Sequence, residues 1–89
     1  MAHRKRKPKP TIVEKNLGRE RVHGQVWGYM DDNPLIEIDA RLKGKERLVI
    51  LVHEAIHVAF PNMNERQVIR AGKLVGSVLW SDNYRRVDQ

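Results

Sequence analysis

The run Leu-Val-Ile-Leu-Val-His-Glu-Ala-Ile-His-Val-Ala-Phe, residues 48–60, constrains this chain more than any other stretch. It is mostly apolar and free of Gly and Pro, so it reads as a helix that the rest of the chain must cover. Within it His53 and His57 stand four positions apart. On a helix both imidazoles leave one face, a turn apart, and can aim ring nitrogens at a single point. Glu54 lies about a hundred degrees further round, too far to share an ion comfortably but within reach of a water beside it. Leu48, Val52, Ala55, Ile56 and Ala59 are expected to form a buried stripe next to that face.

The pattern is His-Glu-x-x-His, in which two histidines hold zinc and the glutamate acts as general base. A core helix with two hydrogen-bonded histidines would carry the same letters, but the helical periodicity around the pattern favours a metal. Two imidazoles alone make a poorly defined site, and catalytic zinc usually has three protein ligands and one open position. Glu65 is the carboxylate best placed by connectivity, eight residues after His57 and just past the reversal that Pro61 imposes. At the start of a second helix its ionised form is favoured, which suits a ligand and equally suits a residue that only complements the helix dipole. His23, Asp39 and Asp82 are further candidates that need a tertiary approach. The chain has no cysteine, so thiolate sites and disulfides are excluded. A set of two nitrogens and a carboxylate oxygen suits zinc better than magnesium or calcium, and one Zn2+ per chain is expected.

The chain has 89 residues, enough for one domain with a modest core that a bound metal would reinforce. Its net charge of +6 is uneven: Arg4, Lys5, Arg6, Lys7 and Lys9 lie in the first ten residues, leaving 12 basic against 11 acidic side chains beyond them. Residues 1–10, interrupted by Pro8 and Pro10, read as a disordered basic tail: a nucleic-acid contact, an electrostatic tether to an acidic partner, or a solvated terminus. Residues 11–89 read as the single domain. No apolar run is long enough to span a bilayer and no secretory signal is present, so a cytoplasmic protein is expected.

Thr11 to Val13 suit a short strand or the start of a helix ended by Gly18. From Val22 the residues alternate between two faces up to the turn Asp31-Asp32-Asn33-Pro34, and alternate again through Ile36, Ile38, Ala40 and Leu42. The expected fold is α+β: a small antiparallel sheet, a hairpin at about 22–42, packed on two helices at about 45–59 and 65–80. Gly24 and Gly28 mark either a bulge, a close backbone approach or local irregularity. Asn64 is a good N-cap for the second helix, and Ala71, Gly72 and Gly76 would let the two helices approach closely. Trp27 and Trp80 read as core or cleft wall, with core favoured.

His53-Glu54-Ala55-Ile56-His57, followed by Pro61 and Glu65, resembles the zincin metallopeptidases over roughly residues 24–80. With a glutamate from the following helix it is most similar to minimal, single-domain members of the gluzincin branch, to the compact core of SprT-like proteases and to short phage-encoded HExxH proteins. The resemblance implies a zinc peptidase acting on a protein or peptide substrate. It makes His53, His57 and Glu65 the metal ligands and Glu54 the base. It also implies that Leu35, Ile36, Glu37, Ile38 and Asp39 form an edge strand that binds substrate in extended form. Zincins commonly use a Tyr, His or Arg to stabilise the tetrahedral oxyanion. Tyr84 and Arg85 are candidates for that role, with Arg86, Tyr29 and His23 behind them, although packing and surface roles are favoured for Tyr84 and Arg85. A zinc-stabilised module that binds protein or nucleic acid without hydrolysis is the alternative. A protease recruited to DNA by the basic tail is a third reading.

Overall fold

The structure, a computed structural model, describes residues 8–28 and 31–87. Three strands, β1 (Thr11–Lys15), β2 (Gly24–Trp27) and β3 (Leu35–Asp39), precede two helices, α1 (Gly44–Ala59) and α2 (Glu65–Ser81). This is the expected α+β class with both helices close to their expected bounds. The sheet differs from expectation. β2 pairs antiparallel with β3, as a hairpin should, but β1 adds to the other side of β3 in parallel, so the sheet is mixed and its order is β1-β3-β2. The β-branched run Thr11-Ile12-Val13 thus settles as strand, and its charged neighbours Glu14 and Lys15 suit an exposed edge.

The strand alternation holds, but its polar face is not a solvent face. Ile36 and Ile38 join Val26, Leu42 and Val58 in the core cluster, against which Ile50 and Leu51 of α1 pack. On the opposite face Glu37 and Asp39 are also buried. Glu37 accepts hydrogen bonds from Gln25 Nε2 at 2.8 Å and Trp27 Nε1 at 2.7 Å. Asp39 accepts from the Arg41 backbone N–H and from its guanidinium, the shortest contact being 2.7 Å. Trp27 is therefore not a core residue: it is 57 % exposed and contributes a donor to Glu37.

These partners set an acid limit. The Arg41 guanidinium and backbone N–H hold the Asp39 carboxyl at about 2, against an ordinary 3.8. The Trp27 and Gln25 donors lower Glu37 in the same direction. Both groups bind protons less readily folded than unfolded, so their stabilisation is present above about pH 4 and disappears as the pH falls towards 2. Arg41→Gln should raise the midpoint of acid unfolding followed by circular dichroism, whereas an unchanged midpoint would remove Arg41 from this role.

Two neighbours cover α1, and this overturns the single-stripe expectation. Glu54 and Val58 are its buried residues, while Ala55 and Ala59 are exposed. One side of the helix meets β2 and β3, and another meets α2; α2 itself packs on α1 and not on the sheet. A helix enclosed in this way is apolar on more than one face, so a search for one stripe selects the wrong residues. The reversal after Ala59 ends at Asn64, whose side chain caps α2 by accepting from Gln67 N–H at 2.9 Å.

Glycine sets the spacing of the two helices. A Cβ at Gly76 would lie 2.8 Å from Val49 Cγ2 and 3.0 Å from Val49 Cα. Because the second neighbour is backbone, Gly76→Val must push the helices apart, an overpacking cost of about 2–3 kcal/mol. For a domain of this size that lowers the thermal midpoint by roughly 10–20 °C. A midpoint within a degree or two of the parent would show that the helices do not touch there.

Among the described residues, no helix is long and apolar enough to cross a membrane.

Candidate metal centre

α1 presents His53 and His57 a turn apart, with their Nε2 atoms 3.2 Å from each other. Glu65, the first residue of α2, completes a triangle: its Oε1 is 2.8 Å from His53 Nε2 and its Oε2 is 3.3 Å from His57 Nε2. Around a tetrahedral ion with bonds of about 2.0–2.1 Å, ligand atoms are separated by roughly 3.3 Å. The histidine nitrogens match that spacing and each is approached by a different Glu65 oxygen, so the three side chains converge on one small region. Their converging atoms all lie within 4.8 Å of one another, and the group could hold a metal.

Close helix packing makes this convergence achievable. A Cβ at Gly72 would lie 3.3 Å from His53 Cα, so α2 crosses directly beside the first histidine. The Asn64 cap then fixes where α2 begins, and thereby where Glu65 sits. Burial pushes the His53 imidazole below its ordinary 6.5, the neighbouring His57 acting in the same direction and the Glu65 charge against it. A neutral ring is the form a metal requires. Glu65 is 61 % exposed at its side chain against 16 % and 14 % for the histidines, so one side of the group is open to solvent.

Glu54 occupies the inner side. Its side chain is 8 % exposed, with Oε2 3.9 Å from His53 Nε2. Burial, reinforced by the Glu65 charge, pushes its carboxyl up to about 7. The sheet reaches it through Gly24, where a Cβ would lie 3.0 Å from Glu54 Cγ and 3.2 Å from Oε2. Of the readings open for Gly24, close approach is the one observed, and Gly72 opposite His53 is a second case. A glycine inside a strand or helix pattern is the only sequence signal for either, and it does not name the partner.

Several expected site residues lie elsewhere. β3 is the central strand, hydrogen-bonded on both sides, so Leu35, Ile36, Glu37, Ile38 and Asp39 offer no free edge to a substrate. The pairing of β1 with β3 is the reason. Arg85 stacks 3.4 Å from the centroid of the Trp80 ring and donates to Trp80 O at 2.7 Å. With Tyr84 it lines a cavity at the first turns of α1, so neither belongs to the His53–His57–Glu65 group. Arg86 is held by Glu14 at 2.6 Å. Of the other third-ligand candidates, Asp39 is engaged by Arg41, His23 is exposed with its backbone carbonyl accepting from Asp39 N–H, and Asp82 caps the far end of α2. Lys9 is exposed, and its backbone N–H donates to Asp32 O at 2.8 Å. Arg4, Lys5, Arg6, Lys7 and Tyr29 lie outside the described residues.

Comparison with protein-family models, with curated proteins and with solved structures finds no match.

Proposed function

We propose that this chain is a zinc-dependent peptidase. The observation that supports it most is the convergence of His53 Nε2, His57 Nε2 and the Glu65 carboxylate within 4.8 Å of one another, with the Glu54 carboxylate 3.9 Å from the first of them. Two imidazoles and one carboxylate with an open side is a donor set typical of catalytic zinc. When bound, zinc supplies Lewis acidity that polarises a carbonyl and makes water a better nucleophile near neutral pH. The chain's own part is to place a base beside that ion. Glu54 takes a proton from the attacking water and returns it to the amide nitrogen as the C–N bond breaks, leaving a carboxylic acid and an amine.

The substrate strand moves from β3 to β2. β2 is a sheet edge, and it begins at Gly24, directly over the Glu54 side chain. An extended peptide added to the free edge of β2 would pass beside the base, using main-chain hydrogen bonds for affinity.

Elemental analysis of the purified chain, with a fluorogenic peptide library as the activity readout, tests this. One zinc per chain is expected, together with hydrolysis that a chelator stops and zinc restores. His53→Ala and Glu65→Gln should both lose zinc under dialysis. Full metal occupancy without turnover would leave the alternative of a zinc-stabilised binding module, and absence of metal would remove both readings.

A further inference from the structure

Beside the first half of α1 lies a cavity of about 580 Å³. That is within the size range of small-molecule sites. Its ends are built from parts distant in sequence: Glu14 of β1, the β3–α1 connection, the first turns of α1, and the end of α2 with the segment that follows. From α1 the cavity takes Gly44, Arg47, Leu48 and Leu51, and it includes none of His53, His57 and Glu65, so the two sites share no residue.

Its chemistry is that of an anion site on an apolar floor. Leu48, Leu51 and Trp80 supply the floor, while Lys43, Arg47, Arg85 and Arg86 line the rim against a single acid, Glu14. That acid is already taken: Arg86 Nη1 holds it at 2.6 Å, and Arg47 Nε approaches only to 3.8 Å. Arg47 is the telling residue. Its side chain is 13 % exposed, and its Nε is sealed from solvent with no hydrogen-bond partner. A largely buried guanidinium whose one ion pair is long is poorly neutralised, and an oxyanion settling beside it would complete that neutralisation. The backbone adds donors at the same place. α1 starts with Gly44 at φ +59 and its N-cap, Lys43, makes no side-chain capping bond. The first-turn N–H groups therefore lack the usual side-chain acceptor. Glu46, the acid of that turn, is exposed and does not line the cavity.

We infer that this cavity binds a small organic anion, its phosphate or carboxylate head between Arg47, Lys43 and the start of α1, its apolar body on Trp80 and Leu48. The inference is independent of the peptidase reading, since no residue is shared between the two sites.

Titration of the full chain with phenyl phosphate, benzoate and uncharged benzyl alcohol, followed by amide NMR, tests it. Both anions should give saturable shifts at Gly44 to Leu48 and at the Trp80 indole N–H, and benzyl alcohol should give none there. Tighter binding of phenyl phosphate would assign a phosphate ester, and tighter benzoate a carboxylate; either supports the site. Arg47→Met should weaken binding at least tenfold. Lys43→Glu, a change at an exposed residue whose side chain makes no capping bond, should weaken it severalfold. Equal response to benzyl alcohol, shifts confined to His53, His57 and Glu65, or undiminished binding in the Lys43→Glu variant would overturn the inference.

Discussion

Replacing Glu54 by glutamine is expected to abolish peptide hydrolysis while leaving one zinc per chain. The amide matches the carboxylate in shape, so the packing beneath Gly24 is kept, where a Cβ would already stand 3.0 Å from Glu54 Cγ. It cannot accept the proton of the attacking water. Loss of a positioned base typically costs about 10²–10⁴ in rate. Metal content should be unaffected because Glu54 is not among the three converging residues that could hold the ion. The variant thus separates two roles that His53→Ala removes together. Turnover measured on the best library peptide, with zinc quantified in the same samples, gives the answer. A variant as active as its parent would move the base to another residue. Loss of zinc together with activity would make Glu54 a contributor to the metal site itself.

The parts of this arrangement carried by local spacing were legible in the sequence. His53 and His57 needed only a helix, Pro61 only a reversal, and Asn64 only a free N-terminus to cap, so the convergence of His53, His57 and Glu65 followed from residues 48–65 alone. What lay outside local spacing was missed. The place of β3 depends on β1, some twenty residues earlier, pairing with it in parallel, and no pattern within residues 35–39 encodes that neighbour. Glu37 and Asp39 look like solvent-facing residues because alternation reports which face a side chain takes, not whether Trp27, Gln25 or Arg41 will cover it. Leu17, in the connection after β1, is fully buried although nothing periodic surrounds it. The basic cavity is hidden for the same reason: Glu14, Arg47 and Arg86 meet only through the tertiary fold.

Zinc removal is expected to lower the thermal midpoint by about 15–30 °C, the largest stability effect in the molecule. Among the described residues the buried apolar set is small: Leu17, Val26, Ile36, Ile38, Leu42, Val58 and Val68. Only the last of these lies on α2, whose other buried positions are Gly72 and Gly76. Glycines permit close approach but bury little apolar area, so α2 has few side chains to hold it on α1. An ion shared by His53, His57 and Glu65 would fasten the start of α2 to the later turns of α1. A ligand that binds only the folded form at a thousand times its dissociation constant stabilises by about 4 kcal/mol, which in a domain of this length gives the shift above. Melting curves with zinc and with chelator measure it directly. His57→Ala should melt near the chelated parent and ignore added zinc, while Glu54→Gln should respond as the parent does. Because α2 packs on α1 alone, its amides should gain hydrogen-exchange rate on chelation before those of β3. Coincident midpoints with and without zinc would mean that the triangle of donors holds no ion tightly enough to matter, and the stability of α2 would then rest on Val68 and the glycine contacts.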